Sequence, residues 1–226
     1  MKHVLIDISG IFCQESFGTE LENRGLFPGI VDLSGLEGTN CYCSDEASAV
    51  IRREVGEVPL SSICWIDTGD YHYLSYFRGS CIGEPFELVL MDNHTDDFDL
   101  ADTLSCGNWV SALRREPFCK GSSLIRSTAE AAAFLRHSSD CDLLPVFLSI
   151  DLDVLRPEDF RTNWDQGSMS FEEMLGIIES IVASRKVLAI DICGGLTESK
   201  GATPSDLAHN CRQRLRLSDA LRKMGI

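Results

Sequence analysis

The sequence predicts an α/β fold of three layers (α/β/α), with a mostly parallel central sheet covered by helices on both faces. Two observations carry that prediction. Short apolar runs alternate with helical stretches along the chain, the order that builds a parallel sheet through helical crossovers. The strand-like runs are also apolar almost throughout, as strands buried on both faces must be.

Strand-like runs occupy residues 4–8, 63–67, 87–91, 123–125, 146–150 and 187–192. Between them, Ser44 or Asp45 can cap a helix over 47–54. Ser127 with Glu130, and Ser170 with Glu173, form capping-box patterns ahead of helices at 131–137 and 174–183. Pro204 and Ser205 open a last amphipathic helix that runs to about Lys223. The turn-rich stretch 16–40 reads as a long loop rather than a domain boundary. No internal repeat or low-complexity linker interrupts the chain, so its 226 residues are expected to form a single domain, 1–226.

Composition narrows the function by exclusion. A net charge of -15 argues against nucleic acid or an anionic membrane as partner. The ten cysteines, at 13, 41, 43, 64, 81, 106, 119, 141, 193 and 211, form no CxxC pair. Cys64 and Cys193 sit in apolar strand-like runs, where free cysteine behaves as a small hydrophobe. The first residues lack the apolar core of a signal peptide, and no run approaches the length of a membrane span. A reduced, cytoplasmic protein is the expectation.

The most informative stretch is Asp92-Asn93-His94-Thr95-Asp96, directly after an apolar run. Side chains at i, i+2 and i+4 of an extended segment share a face, so two carboxylates and an imidazole converge. Asp151-Leu152-Asp153 follows a second apolar run, and Gly69-Asp70-Tyr71-His72 follows a third. Ligands of open parallel sheets collect at the carboxyl ends of the strands. Several carboxylates gathered there need a strong positive charge, which points to divalent metal and to two ions.

These segments, in this order, resemble those of the arginase/agmatinase superfamily, the ureohydrolases, over about residues 63 to 195. The resemblance implies an arginase-like fold and two manganese ions, with iron, zinc, cobalt or nickel as alternatives for the same ligands. It implies that Asp92 and Asp151 bridge the ions, that His72 and Asp96 complete one, and that His94 and Asp153 complete the other. The implied reaction is attack of a metal-activated hydroxide on a linear C–N bond of a small amidine, guanidino, formimino or amide substrate. Asp96 would be the catalytic proton carrier. The resemblance further implies a homo-oligomer, although no residue pattern marks an interface.

The chain departs from the family pattern at three points. Tyr71 lengthens the Gly-Asp-His segment, so His72 must arrive by a modified turn. The closing Asp-x-x-Glu reads Asp191-Ile192-Cys193-Gly194, which removes the carboxylate that meets a guanidinium group. The loop Ser105-Cys106-Gly107-Asn108-Trp109 lacks the histidine that shuttles protons in arginases. Free arginine is therefore not the expected substrate. Asn108, Asn163 and Glu198 are the candidate substrate contacts, although Gly107-Asn108 reads equally as a helix-start turn. Asp191 is expected to support the site rather than ligate metal. His3, His137 and His209 have no supporting constellation.

Two other readings stay open. Loss of the glutamate and the histidine also fits a non-catalytic metal-binding regulatory protein. Asp151-Leu152-Asp153-Val154 matches the nucleophile motif of haloacid-dehalogenase-like phosphatases, but that motif opens the first strand of its domain and would leave residues 92–96 unexplained.

Overall fold

A computed structural model describes residues 2–99, 103–137 and 143–226. The side chain of His137 and the whole of Cys141 lie outside the described residues; the other nine cysteines are free thiols.

Seven strands form one parallel sheet: β1 (His3–Asp7), β2 (Gly29–Asp32), β4 (Ile63–Ile66), β5 (Phe86–Met91), β7 (Cys119–Ile125), β8 (Val146–Asp151) and β9 (Val187–Cys193). Their spatial order is β2-β1-β4-β9-β8-β5-β7. Two short strands, β3 (Tyr42–Cys43) and β6 (Leu104–Ser105), pair antiparallel outside that sheet. This is the three-layer α/β/α architecture expected from the alternation.

The two faces carry separate apolar cores. Leu148 and Ile150 of β8 and Ile190 and Ile192 of β9 face one core. It is closed by α1 (Ile11–Gln14), α2 (Phe17–Asn23), α6 (Thr128–His137), α7 (Phe171–Ser184) and α8 (Pro204–Lys223). Phe147 and Ala189 point the other way, towards α3 (Asp45–Gly56), α4 (Leu74–Gly79) and α5 (Trp109–Leu113). By the alternation of a strand, Ser149 and Asp191 share this second face.

The helix ends follow the local sequence. Ser44 caps α3 by accepting from the Ala47 amide, and Ser170 with Glu173 closes a capping box on α7. On α8 the cap is Thr203 with Asp206, ahead of Pro204 in the first turn.

The stretch 16–40 corrects the loop expectation. It holds α2 and the edge strand β2, which pairs in parallel with β1 from Val4↔Gly29 to Asp7↔Asp32. Three of the four β2 residues are exposed, so the strand lacks the apolar signature of its buried neighbours. Among the described residues, no helix is long and apolar enough to cross a membrane.

Candidate functional site

Strands β4, β9, β8 and β5 are consecutive neighbours, so their carboxyl ends form one rim. A 3-10 turn over Gly69–Tyr71 follows β4 and accommodates the extra Tyr71, delivering His72 to that rim. A second 3-10 turn over Leu152–Val154 follows β8, with the Asp151 carboxylate capping it through the Asp153 amide (2.9 Å). After β5, the Asp92 carboxylate accepts from the His94 amide (2.6 Å), and the Asp153 carboxylate accepts from the Asn93 amide (3.0 Å). Backbone amides thus fix the carboxylates before any ligand arrives.

The fold brings all six candidate ligands together in two groups that share Asp92. In the first, His72 Nδ1 lies 3.2 Å from Asp92 Oδ2, 3.2 Å from Asp96 Oδ2 and 3.3 Å from Asp151 Oδ2. In the second, His94 Nδ1 lies 2.8 Å from Asp153 Oδ2 and 3.6 Å from Asp92 Oδ1. His72, Asp92, Asp151 and Asp153 are all buried. Asp96 holds a left-handed backbone conformation (φ 48°), and Trp109 Nε1 donates to its Oδ2 (2.7 Å). A non-glycine residue keeps that conformation only where its surroundings demand it.

The spacing suits a cation. His72 Nδ1 and Asp92 Oδ2 are buried yet make no hydrogen bond, although they face each other at 3.2 Å. Ligands about 2.1 Å from one shared ion stand roughly 3.0–3.4 Å apart in octahedral or tetrahedral geometry. The donor set of imidazole and carboxylate suits manganese, iron or zinc.

Electrostatics lead to the same point. Burial, then the charges of Asp153 and Asp92, pushes the Asp151 carboxyl well above its ordinary range. Burial likewise raises Asp153 to about 6. Burial opposes charge on His72, but the closeness of Asp92, Asp96 and Asp151 outweighs it and raises the imidazole well above its usual value. Asp153 and Asp92 push His94 up to about 11. Four crowded carboxylates therefore hold protons or attract positive charge, the demand that divalent cations would meet.

A cavity of about 420 Å³ opens over this floor. Asp92, His94, Asp96, Asp151 and Asp153 line it together with Gly69, Ser105, Gly107, Trp164 and others. None of the three candidate substrate contacts lines it. Asn108 is held within its own loop, accepting from the Ser105 amide and donating to the Thr103 carbonyl (both 2.8 Å). Asn163 donates to Asp70 (2.9 Å), and Glu198 is exposed in a 3-10 turn beyond β9. Loop geometry, which spacing does not encode, decides all three.

Asp191 stays beneath the site, in a buried ion pair with Arg78 of α4 (3.0 Å). Gly194 has φ 104°, and a Cβ there would sit 2.7 Å from Asp151 Oδ1. The loop leaves no room for a side chain at that position. Sequence reasoning missed Ser149, which meets His72 Nε2 at 2.9 Å; the only available signal was a hydroxyl two residues before Asp151 in an otherwise apolar strand.

Formimidoylglutamase from Bacillus subtilis superposes on 99% of this chain and 86% of its own, with a TM-score of 0.66 at 15% identity. A hypothetical agmatinase from Burkholderia thailandensis gives 0.64 at 14% over the same shares, and arginase from Bacillus subtilis gives 0.61 at 13% over 95% and 96%. The fold is arginase-like. At these identities the likeness concerns the arginase-like backbone. No family model matches the sequence. An uncharacterised protein from Thermotoga maritima is 35% identical over 143 residues, 58% of this chain and 57% of that protein, so the match spans little over half of the curated relative.

Proposed function

We propose that the chain is a metal-dependent hydrolase of linear C–N bonds in small molecules. It would hold two divalent cations, manganese foremost, with His72, Asp92, Asp96 and Asp151 around one and His94, Asp153, Asp92 and Asp151 around the other. The observation that supports this reading best is His72 Nδ1, buried without a hydrogen bond and 3.2–3.3 Å from three carboxylates. Bound cations would supply Lewis acidity and a water acidified to near-neutral pH.

The chain's own residues supply the rest. The Asn93, His94 and Asp153 amides hold the carboxylates in place, so little reorganisation accompanies reaction. Asp96 lines the cavity and is the group that takes up a proton and passes it to the departing nitrogen. Amidines, guanidino compounds, formimino compounds and amides fit the chemistry. Free arginine is not the expected substrate: the loop has no room at Gly194 for the carboxylate that the family pattern places there, so any guanidino head would rest on the cations alone.

A second reading, a metal-binding regulatory protein without turnover, draws on Asn108, Asn163 and Glu198 all lying outside the cavity lining. Elemental analysis and a screen for release of ammonia, urea, formamide or the free amine separate the two. Two ions per native chain, lost in Asp92→Ala and Asp151→Ala together with turnover, support the hydrolase. Two ions with no turnover across all four substrate classes favour the regulatory protein. A folded chain that binds no manganese, iron or zinc sinks both.

A further inference from the structure

The cavity mouth is built from aromatic rings seated on glycines. Trp164 packs over Gly69 so closely that a Cβ at 69 would lie 2.6 Å from the indole Cδ1. Phe98 packs over Gly107, where a Cβ would lie 3.2 Å from its ring. The backbone reinforces the second contact, since the Phe98 amide donates to the Gly107 carbonyl (3.0 Å). The indole N–H of Trp164 is tied to the buried Asp70 (3.0 Å), and its ring meets His94 edge-on at 5.8 Å. The Trp164 ring is thus tied in place and the Phe98 backbone anchored, yet Trp164 is 39% and Phe98 64% exposed. Both line the cavity, and so does Tyr42, which is 55% exposed.

Large apolar side chains held open to solvent mark a surface that something else covers. Above the buried acidic floor, the cavity's exposed surface is mainly apolar, and no lysine or arginine lines it among the described residues. Lys200, in the turn after β9, is paired with Asp70 instead (3.4 Å). A carboxylate at the far end of a ligand would lose its water here and gain no cation.

We propose that Trp164 and Phe98 are specificity-determining residues, and that they select a C–N substrate whose tail is uncharged and apolar. This rests on the hydrolase reading for the head group that meets the acidic floor. It deepens that reading by excluding amino-acid-like and dicarboxylate tails. The tied Trp164 ring needs no reorganisation to receive an alkyl or aryl tail, so its contact area contributes directly to affinity.

Calorimetric titration of the manganese-loaded chain with butylguanidine, 4-aminobutylguanidine and 4-guanidinobutanoate tests this, because the head and chain length stay constant while the tail changes. Butylguanidine is expected to bind about tenfold more tightly than either charged analogue. Trp164→Ala and Phe98→Ala should each erase most of that preference, with metal content unchanged and 4-guanidinobutanoate affinity little altered. Equal or tighter binding of 4-guanidinobutanoate, or a butylguanidine preference that survives both substitutions, overturns the proposal. The hydrolase reading stands in that event if binding vanishes on chelation. Absence of binding by all three probes overturns this proposal and removes guanidino compounds from the substrate class, and metal content measured on the same samples shows whether the two-cation reading falls with it.

Discussion

His72 and Ser149 are joined by a buried 2.9 Å contact between Nε2 and Oγ, which turns the opposite ring nitrogen towards three carboxylates. The hydroxyl therefore holds the ring orientation; in the tautomer whose Nε2–H donates to Ser149, Nδ1 keeps a lone pair for a cation. Ser149→Ala should lower manganese affinity roughly 10- to 100-fold while the chain stays folded. Competitive metal titration beside circular dichroism checks this. Unchanged affinity would show that Asp92, Asp96 and Asp151 position the ring without help.

The layer below Ser149 is held by Arg78 and Asp191, both almost fully buried. Arg78 Nε meets Asp191 at 3.0 Å, while its other nitrogens donate to the carbonyls of Val58, Pro59 and Ser62. Removing the cation alone strands a buried carboxylate and frees those carbonyls. Arg78→Met should cost about 3–5 kcal/mol, and Arg78→Met with Asp191→Leu should cost less than Arg78→Met alone. Urea unfolding of the three proteins measures both differences.

How far the site was readable depended on where each residue stands relative to a buried strand. Asp92, Asp151 and their partners follow largely apolar runs, which placed them at strand ends, and the parallel sheet brought those ends together. Ser149 was hidden because one hydroxyl in Val146–Asp151 carries no periodic signal. The edge strand β2 was hidden for the opposite reason, as its side chains are mostly solvated. Asn163 and Glu198 lie in loops, where only three-dimensional closure shows that one meets Asp70 and the other faces solvent. The seating of Trp164 on Gly69 spans 95 residues of sequence and leaves no local trace.

Asp7 at the end of β1 gives a stability prediction with a definite sign. Burial, and then the charge of neighbouring Asp67, raises its carboxyl to about 7. The folded state therefore binds more protons than the unfolded state between about pH 4 and 7, and stability falls as pH rises through that window. Asp7→Asn removes the charge and should stabilise the protein at pH 8 by about 1–2 kcal/mol, after allowance for solvent screening at this half-buried position. The gain should shrink towards zero near pH 4. Denaturant midpoints of both proteins at the two pH values decide it; a gain independent of pH would trace to something other than the carboxylate charge.

His3 should give the opposite slope. Its Nδ1 accepts a hydrogen bond from Trp65 Nε1 (2.9 Å), which requires an unprotonated nitrogen, and Ser218 Oγ stands 3.3 Å from Nε2. Burial, aided by the charge of Arg222, lowers its pKa to about 4, whereas an unfolded histidine titrates near 6.5. Between those values the unfolded state binds the extra proton, so stability is lost as pH falls from about 6.5 to 4 and changes no further below that. His3→Asn keeps an acceptor near the Trp65 N–H and cannot charge. The native protein should therefore lose about 2 kcal/mol more than the variant over this window, allowing for partial solvent screening. The Asp7 and site carboxylates titrate in both proteins, so the difference between the two unfolding curves isolates the imidazole. A difference that stays constant from pH 7 to pH 4 would mean that the folded state accommodates a charged His3, and the Trp65 hydrogen bond would then have to break.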